Sequence, residues 1–145
     1  MLSIAIFSKE DGNETTRRHQ MFDIYQIRLT DEQYDMVNEQ GADSVPAYQL
    51  KRDMGFGPDL HGKHLNEMAA EGWAKNYFTK VATFDCDDVR QVFQIGNIGP
   101  EERITRHARM HSVSVGDVVV NPDNGVAWVV DNYGYTLFDT SSSAI

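Results

Sequence analysis

Cys86 and the histidines are the side chains with the most chemistry to offer, and their spacing decides how far it goes. Cys86 follows Asp85 at a position that reads as the start of a helix. A helix N-terminus lowers a thiol pKa and favours a nucleophile. Asp85, Asp87 and Asp88 surround the cysteine, and their charges push that pKa back up. His61 and His64 are three residues apart and His107 and His111 four apart, so either pair fits one helix face, as metal ligands would. A third ligand would have to arrive from Asp85, Asp87 or Asp88 by folding alone, and histidine pairs on polar segments are usually just solvated. There is no G-x-S-x-G elbow, no glycine-rich phosphate loop and no H-E-x-x-H. The expectation is a protein that is not an enzyme, with no catalytic residue, no cofactor and no metal.

Charge points to binding instead. The chain carries a net charge of −9, which argues against non-specific nucleic-acid binding, where phosphates require a basic surface. Such a charge serves solubility in many small domains. It also suits an acidic surface that engages a basic groove on a partner. Asp31, Glu32, Asp35 and Glu39 supply one candidate face, with Asp35 and Glu39 four residues apart, and Asp85, Asp87 and Asp88 a second group. The opposite sign gathers in Arg103, Arg106, His107, Arg109 and His111. If that stretch is helical, its three arginines recur every three residues and form a stripe. The alternative function is therefore a nucleic-acid- or nucleotide-binding module using Arg103, Arg106, Arg109 and His111, with Tyr133, Tyr135 or Trp128 as aromatic contacts. The plainer reading makes these residues salt-bridge partners for the excess carboxylates.

The elements that must position these groups read as one domain. A length of 145 residues fits a single core, and 41% hydrophobic with 24% charged residues fits an ordinary globular protein. No apolar run approaches the roughly 20 residues that span a bilayer, so no membrane association is expected. The opening residues lack the basic start and small-residue cleavage site of a signal peptide, and one cysteine fits a reducing compartment, so a cytoplasmic location is expected. Residues 1–20 read as a flexible segment, and Met21 as an alternative start. A strand begins at Met21. Thr30 and Gln33 form a capping box for a helix that Gly41 ends. Ser44 caps a second short helix with Pro46 in its first turn, and residues 58–72 give a third, with Leu65, Met68 and Ala69 inward and Gly72 at its end. A strand over 76–84 precedes a helix capped by Asp85, whose buried stripe is Val89, Val92 and Phe93. Residues 99–111 read as polar and partly helical. The C-terminal part is β: Val118 to Val120, a tight turn at Asn124-Gly125, a return strand, and a third strand after Gly134. Tyr135 and Tyr133 seal the end of the sheet, and residues 140–145 form a tail. The predicted fold is α+β over 21–139: a small antiparallel, strongly curved or barrel-like sheet with a C-terminal β-meander and three to four short helices.

Within the C-terminal part, Ser112 to Val119 (S-V-S-V-G-D-V-V) alternates, with Val113 and Val115 on one side and the serines on the other. Gly116-Asp117 allows a bend, and Asp117 can accept backbone N–H bonds there. This block, together with Tyr25-Gln26, Val92-Phe93 with Asn97, and Val130-Asp131 with Gly134-Tyr135, resembles the YodL-type domain over about residues 21–139. Gly116 stands where serine is common in that family, and the stretch from Asn38 to Gly72 adds helices foreign to its core. The resemblance implies a phage or other mobile-element protein that acts on host defence or host takeover. Its partner would be a host protein of the defence or the transcription and replication machinery. It supplies no catalytic residues.

Overall fold

Strand β1 (Gln20–Ile27) is the hub, because its sequence is apolar on both faces. The computed structural model describes residues 20–56, 64–132 and 134–140. Three helices follow β1, namely α1 (Asp31–Gln40), α2 (Pro46–Phe56) and α3 (Leu65–Ala74), and then β2 (Phe78–Cys86). A 3-10 turn at Val89–Gln91 leads into α4 (Val92–Asn97), and another at Glu101–Arg103 into β3 (Ile104–Arg106). The meander β4 (Val118–Val120), β5 (Ala127–Asp131) and β6 (Gly134–Phe138) ends the described chain. All six strands form one antiparallel sheet in the order β3-β2-β1-β4-β5-β6. The fold is α+β with a C-terminal meander, as the sequence predicts. The sheet is open rather than closed into a barrel, with β3 and β6 as its edges.

Two hydrophobic cores lie on opposite faces of this sheet. Ile27, Val118, Val129 and Phe138 face α2 and α3 and pack on Leu50, Met54, Leu65 and Met68. Trp73 of α3 gathers Tyr25, Phe78 and Phe138 at ring distances of 4.8, 6.1 and 6.2 Å. Phe22, Ile24, Phe84, Val119 and Val130 face the other way, onto Val92 and Ile95 of α4. The β1–β2 register shifts between Ile24 and Tyr25. This bulge lets the consecutive residues Val81 and Ala82 both be buried in the α4-side core. The carbonyl that Val81 leaves over accepts the N–H groups of His107 and Ala108.

Close approach fixes α4. A Cβ on Gly96 would overlap the Val113 side chain and come within 3.2 Å of Phe84. At the other end, the Tyr135 hydroxyl accepts the Phe93 N–H at 3.0 Å, so a tyrosine from β6 satisfies a donor that the first turn of a helix leaves orphaned. Asn97 donates to the carbonyls of Phe93 and Val113 and ties the end of α4 to the segment before β4.

Several expectations change. Gln20 belongs to β1, paired with Cys86, rather than to a flexible segment. Asp85 lies inside β2, and Asp88 caps the following turn by accepting the Arg90 N–H at 2.8 Å. The thermodynamic reason is that β1 extends far enough to pair β2 through Cys86. Gly72 lies within α3, where its missing Cβ admits Leu50 and Phe78. Phe93 is 50% exposed, and Ile95 takes its place in the buried stripe of α4. Within 99–111 the helical part is one 3-10 turn, Glu101–Arg103, and Ile104–Arg106 form an edge strand, so the three arginines do not share a helix face. Residues 112–117 are not a strand, so Val113 and Val115 do not share a face: Val113 enters the α4-side core and Val115 packs against the other. The proposed flexible segment up to residue 19, His61, Tyr133 and the tail residues 141–145 lie outside the described residues.

The Gly96 contact is testable by a double-mutant cycle. Gly96→Ala should destabilise by about 2 kcal/mol in urea unfolding, because the clash outweighs the helix-propensity gain of alanine. In a Val113→Ala background the same change should cost at least about 1 kcal/mol less, since the overlapping methyl group is gone.

Candidate functional site

Helix α1 contributes little to the core. Its capping box forms as expected: the Gln33 N–H donates to Thr30 Oγ1 at 3.1 Å and the Thr30 N–H to Gln33 Oε1 at 2.8 Å. Gly41, with φ of 102°, ends it. None of its ten residues is buried, and only Gln33 and Val37 are even half-covered. Asp31, Glu32, Asp35 and Glu39 all stand exposed. Asp31, Asp35 and Glu39 lie four apart, so they form a row with a spacing of about 6 Å. Tyr34 and Met36 are exposed beside them, at 40% and 39%.

A groove adjoins this helix. The turn Ala42–Ser44 packs on both α1 and α2, and beyond it α2 and α3 enclose an open cleft of about 420 Å³. Pro46, Leu50 and Met68 provide its apolar lining, and Asp43, Asp53 and Glu71 its charge. Asp53 receives the Gln49 amide, and Glu71 pairs with Lys75 at 3.2 Å. An apolar floor with carboxylates at its rim suits an alkyl chain that ends in a cation, as in lysine or arginine. Sequence reading overlooked this groove because its acids come from three separate elements.

The second acidic group is elsewhere. Asp85 pairs with Met21 near the opposite end of β1, and Asp87 and Asp88 follow just past it, so most of the strand's eight residues separate them from α1, by roughly 20 to 25 Å. They serve local structure. Asp88 caps the turn and grips Arg90 at 2.9 Å, and Asp87 exchanges hydrogen bonds with Gln91. Seven predicted acidic residues therefore make two surfaces, not one.

The basic strip also disperses. Arg106 forms a two-point pair with Glu101, at 2.8 and 3.1 Å. Arg103 is half-buried near the Cys86 thiol, and Arg109 stands exposed. His107 donates its Nε2–H to Thr83 Oγ1 at 2.8 Å, because the threonine uses its own proton on Asp23 Oδ1. His111 turns inward. Cys86 is fully buried, and burial first and Asp85 second push its thiol up to about 12, which removes it as a nucleophile. Among the described residues, no group of three or more His, Cys, Asp and Glu could hold a metal ion. No helix there is long and apolar enough to cross a membrane.

His111 leads to the most unusual chemistry in the molecule. Gln26 is fully buried, and its Oε1 accepts the His111 N–H at 3.1 Å. Its Nε2 donates to the His111 carbonyl at 2.9 Å and to Asp117 Oδ2 at 3.0 Å. The same Asp117 oxygen accepts the Ser114 N–H at 2.9 Å, the local bond that the sequence suggested. Burial raises the Asp117 carboxyl to about 7, against the opposing pull of these hydrogen bonds and of Lys51. Lys51 donates to the Ile27 carbonyl at 3.1 Å, and burial lowers its pKa. Burial also lowers His111, whose Nδ1–H reaches the Ser112 carbonyl at 2.7 Å.

The sign of the pH effect follows. Between 3.8 and about 7 the unfolded chain has lost the Asp117 proton while the folded chain keeps it, so this residue's stabilisation falls as pH rises. The lowered His111 works the other way, adding stability as pH rises towards the ordinary histidine value of 6.5. Asp117→Asn retains an acceptor oxygen and isolates the first effect. Its stability relative to wild type should grow from near zero at pH 4 to about 4 kcal/mol at pH 8, at roughly 1.36 kcal/mol for each unit between 3.8 and about 7. Thermal or urea unfolding across that range checks it, and a constant difference would show that Asp117 ionises normally.

Compared with known proteins, the chain matches no family model, no curated protein and no solved structure, so its functional surface rests on the geometry just described.

Proposed function

We propose that this chain is a small acidic accessory protein of a phage or another mobile element, acting in the host cytoplasm. It binds a host protein of the defence, transcription or replication machinery and inhibits or redirects it. One observation carries the binding part. Helix α1 buries none of its residues, yet it holds four exposed carboxylates beside Tyr34 and Met36. A helix that contributes so little to the core has its composition free to suit a partner, and exposed aromatic and methionine side chains are enriched where proteins meet. The adjoining groove extends the same acidic surface and suits basic side chains of the partner. The Asp85, Asp87 and Asp88 group stands apart from this surface, and local contacts already engage Asp88 with Arg90 and Asp87 with Gln91. The nucleic-acid alternative loses its support too, because Arg106 is paired, His111 is turned inward and the stretch is not a helix.

The test replaces the α1 charges together: Asp31→Asn, Glu32→Gln, Asp35→Asn and Glu39→Gln. Folding should change little, with a loss of a few tenths of a kcal/mol from the first turn. Tagged wild-type and variant proteins are then recovered from host cells and their companions quantified by mass spectrometry. A host protein held by wild type should fall about tenfold with the variant, and its binding should weaken with added salt. Equal recovery by both proteins would overturn the reading.

A further inference from the structure

The outer edge of β6 points to a second interface. Among the described residues β6 pairs with β5 alone. Val130 gives its N–H to the Asp117 carbonyl and accepts the Gly116 N–H, so its backbone groups face β4. Backbone direction alternates along a strand, so Val129 and Asp131 face β6. Their partners Thr136 and Gly134 face β5 in return. Tyr135 and Leu137 therefore turn their N–H and C=O groups outward. Proteins usually blunt such an edge by brevity, charge or proline. β3 is blunted, with three residues that include Arg106. β6 has five residues, Gly-Tyr-Thr-Leu-Phe, with no charge and no proline.

We propose that β6 is a self-pairing edge, through which two copies of this chain join antiparallel about a two-fold axis at Thr136. In that register Tyr135 of each copy meets Leu137 of the other, and the outward groups of both residues close four backbone hydrogen bonds. The side chains fit as well. Tyr135 and Leu137 lie on the α4 face, and Phe93 sits at the Tyr135 hydroxyl. The pairing brings Leu137, 59% exposed, beside the second copy's Tyr135 and towards its Phe93, 50% exposed. Charge selects a neutral meeting line: copies with a net charge of −9 repel over most of their surface, and β6 itself is uncharged. The neighbouring Asp131 carboxylate is turned back onto Thr136 Oγ1 and the Asn132 N–H. A contact of one short strand gives a reversible dimer rather than an obligate one.

Sedimentation velocity on the full chain over a concentration series tests this, with three variants. Leu137→Pro removes an outward N–H that β5 does not use, so the fold's own ladder survives. Leu137→Lys places a charge at the same contact without touching the backbone. Each should weaken dimerisation at least about tenfold while circular dichroism stays native. Thr136→Cys adds a geometric readout. Across the axis the two cysteines occupy a pair with Cα atoms about 4.5 Å apart, within disulfide reach, so oxidation should link the copies. Wild type should not cross-link, because Cys86 is buried. A wild-type chain that stays monomeric throughout overturns the proposal. So does unchanged dimerisation of folded Leu137→Lys, or a Thr136→Cys chain that does not cross-link.

Discussion

The side-chain amide of Gln26 stands in for a missing residue of the β-ladder. β4 reaches back only to Val118, opposite Tyr25, so the chain before it has no strand partner as it passes β1. Gln26 offers one acceptor and one donor to the N–H and C=O of His111, the same exchange that a strand residue would make. Its second donor hydrogen goes to Asp117. Remove the amide, and a buried carboxylate and two backbone groups lose partners together, which costs more than the net worth of the bonds. This anchoring is what lets residues 111–117 run irregularly through the middle of the protein. The irregular path, in turn, sends Val113 to one core and Val115 to the other, so the two faces of the sheet are built from one loop.

That arrangement divides the molecule's charge into two kinds. Inside, Asp117 and Lys51 sit where burial disfavours the charged form of each, and they persist because Asp117 accepts from Gln26 and Ser114 while Lys51 donates to the Ile27 carbonyl. Outside, α1 carries its carboxylates in water at no such cost. The interior polar groups specify the path of the chain. The exterior ones contribute little to folding, since α1 makes its main contacts with the Ala42–Ser44 turn. Under the proposed reading, stability and recognition fall to different elements, and a change in one need not disturb the other.

Local signals were readable from the sequence for the same reason that they are local. The Thr30–Gln33 capping box, the Gly41 stop, the inward Leu65, Met68 and Ala69, and the bond from the Ser114 N–H to Asp117 all join residues within a few positions of each other. What failed depended on partners distant in sequence. The arginines of 103–109 have a helical spacing, but pairing of β3 with β2 overrides it. Phe93 looks like a core residue by period, yet the helix is turned by the demands of Gly96 on Val113, which leaves Phe93 outside. Gln26 is the sharpest case. Its 85-residue reach to His111 leaves no local trace in the sequence. The candidate acidic surface was half readable: α1 was visible as one helix, whereas Asp43, Asp53 and Glu71 converge only after α2 and α3 pack.

The C-terminal meander shows how one strand can serve both scaffold and contact. On its inner side β6 holds β5, and its Phe138 enters the aromatic group around Trp73. Through Tyr135 it also caps α4 across 42 residues of sequence. Both tasks use side chains and inward backbone groups, so neither consumes the outward N–H and C=O of Tyr135 and Leu137. An edge left uncharged is costly for a monomer because it invites aggregation. Pairing with an identical edge removes that liability, and closed two-fold symmetry stops the addition at two copies. A dimer built this way would also carry two acidic helices. For a partner with more than one basic site, the second contact would become intramolecular, which raises avidity without any new residue.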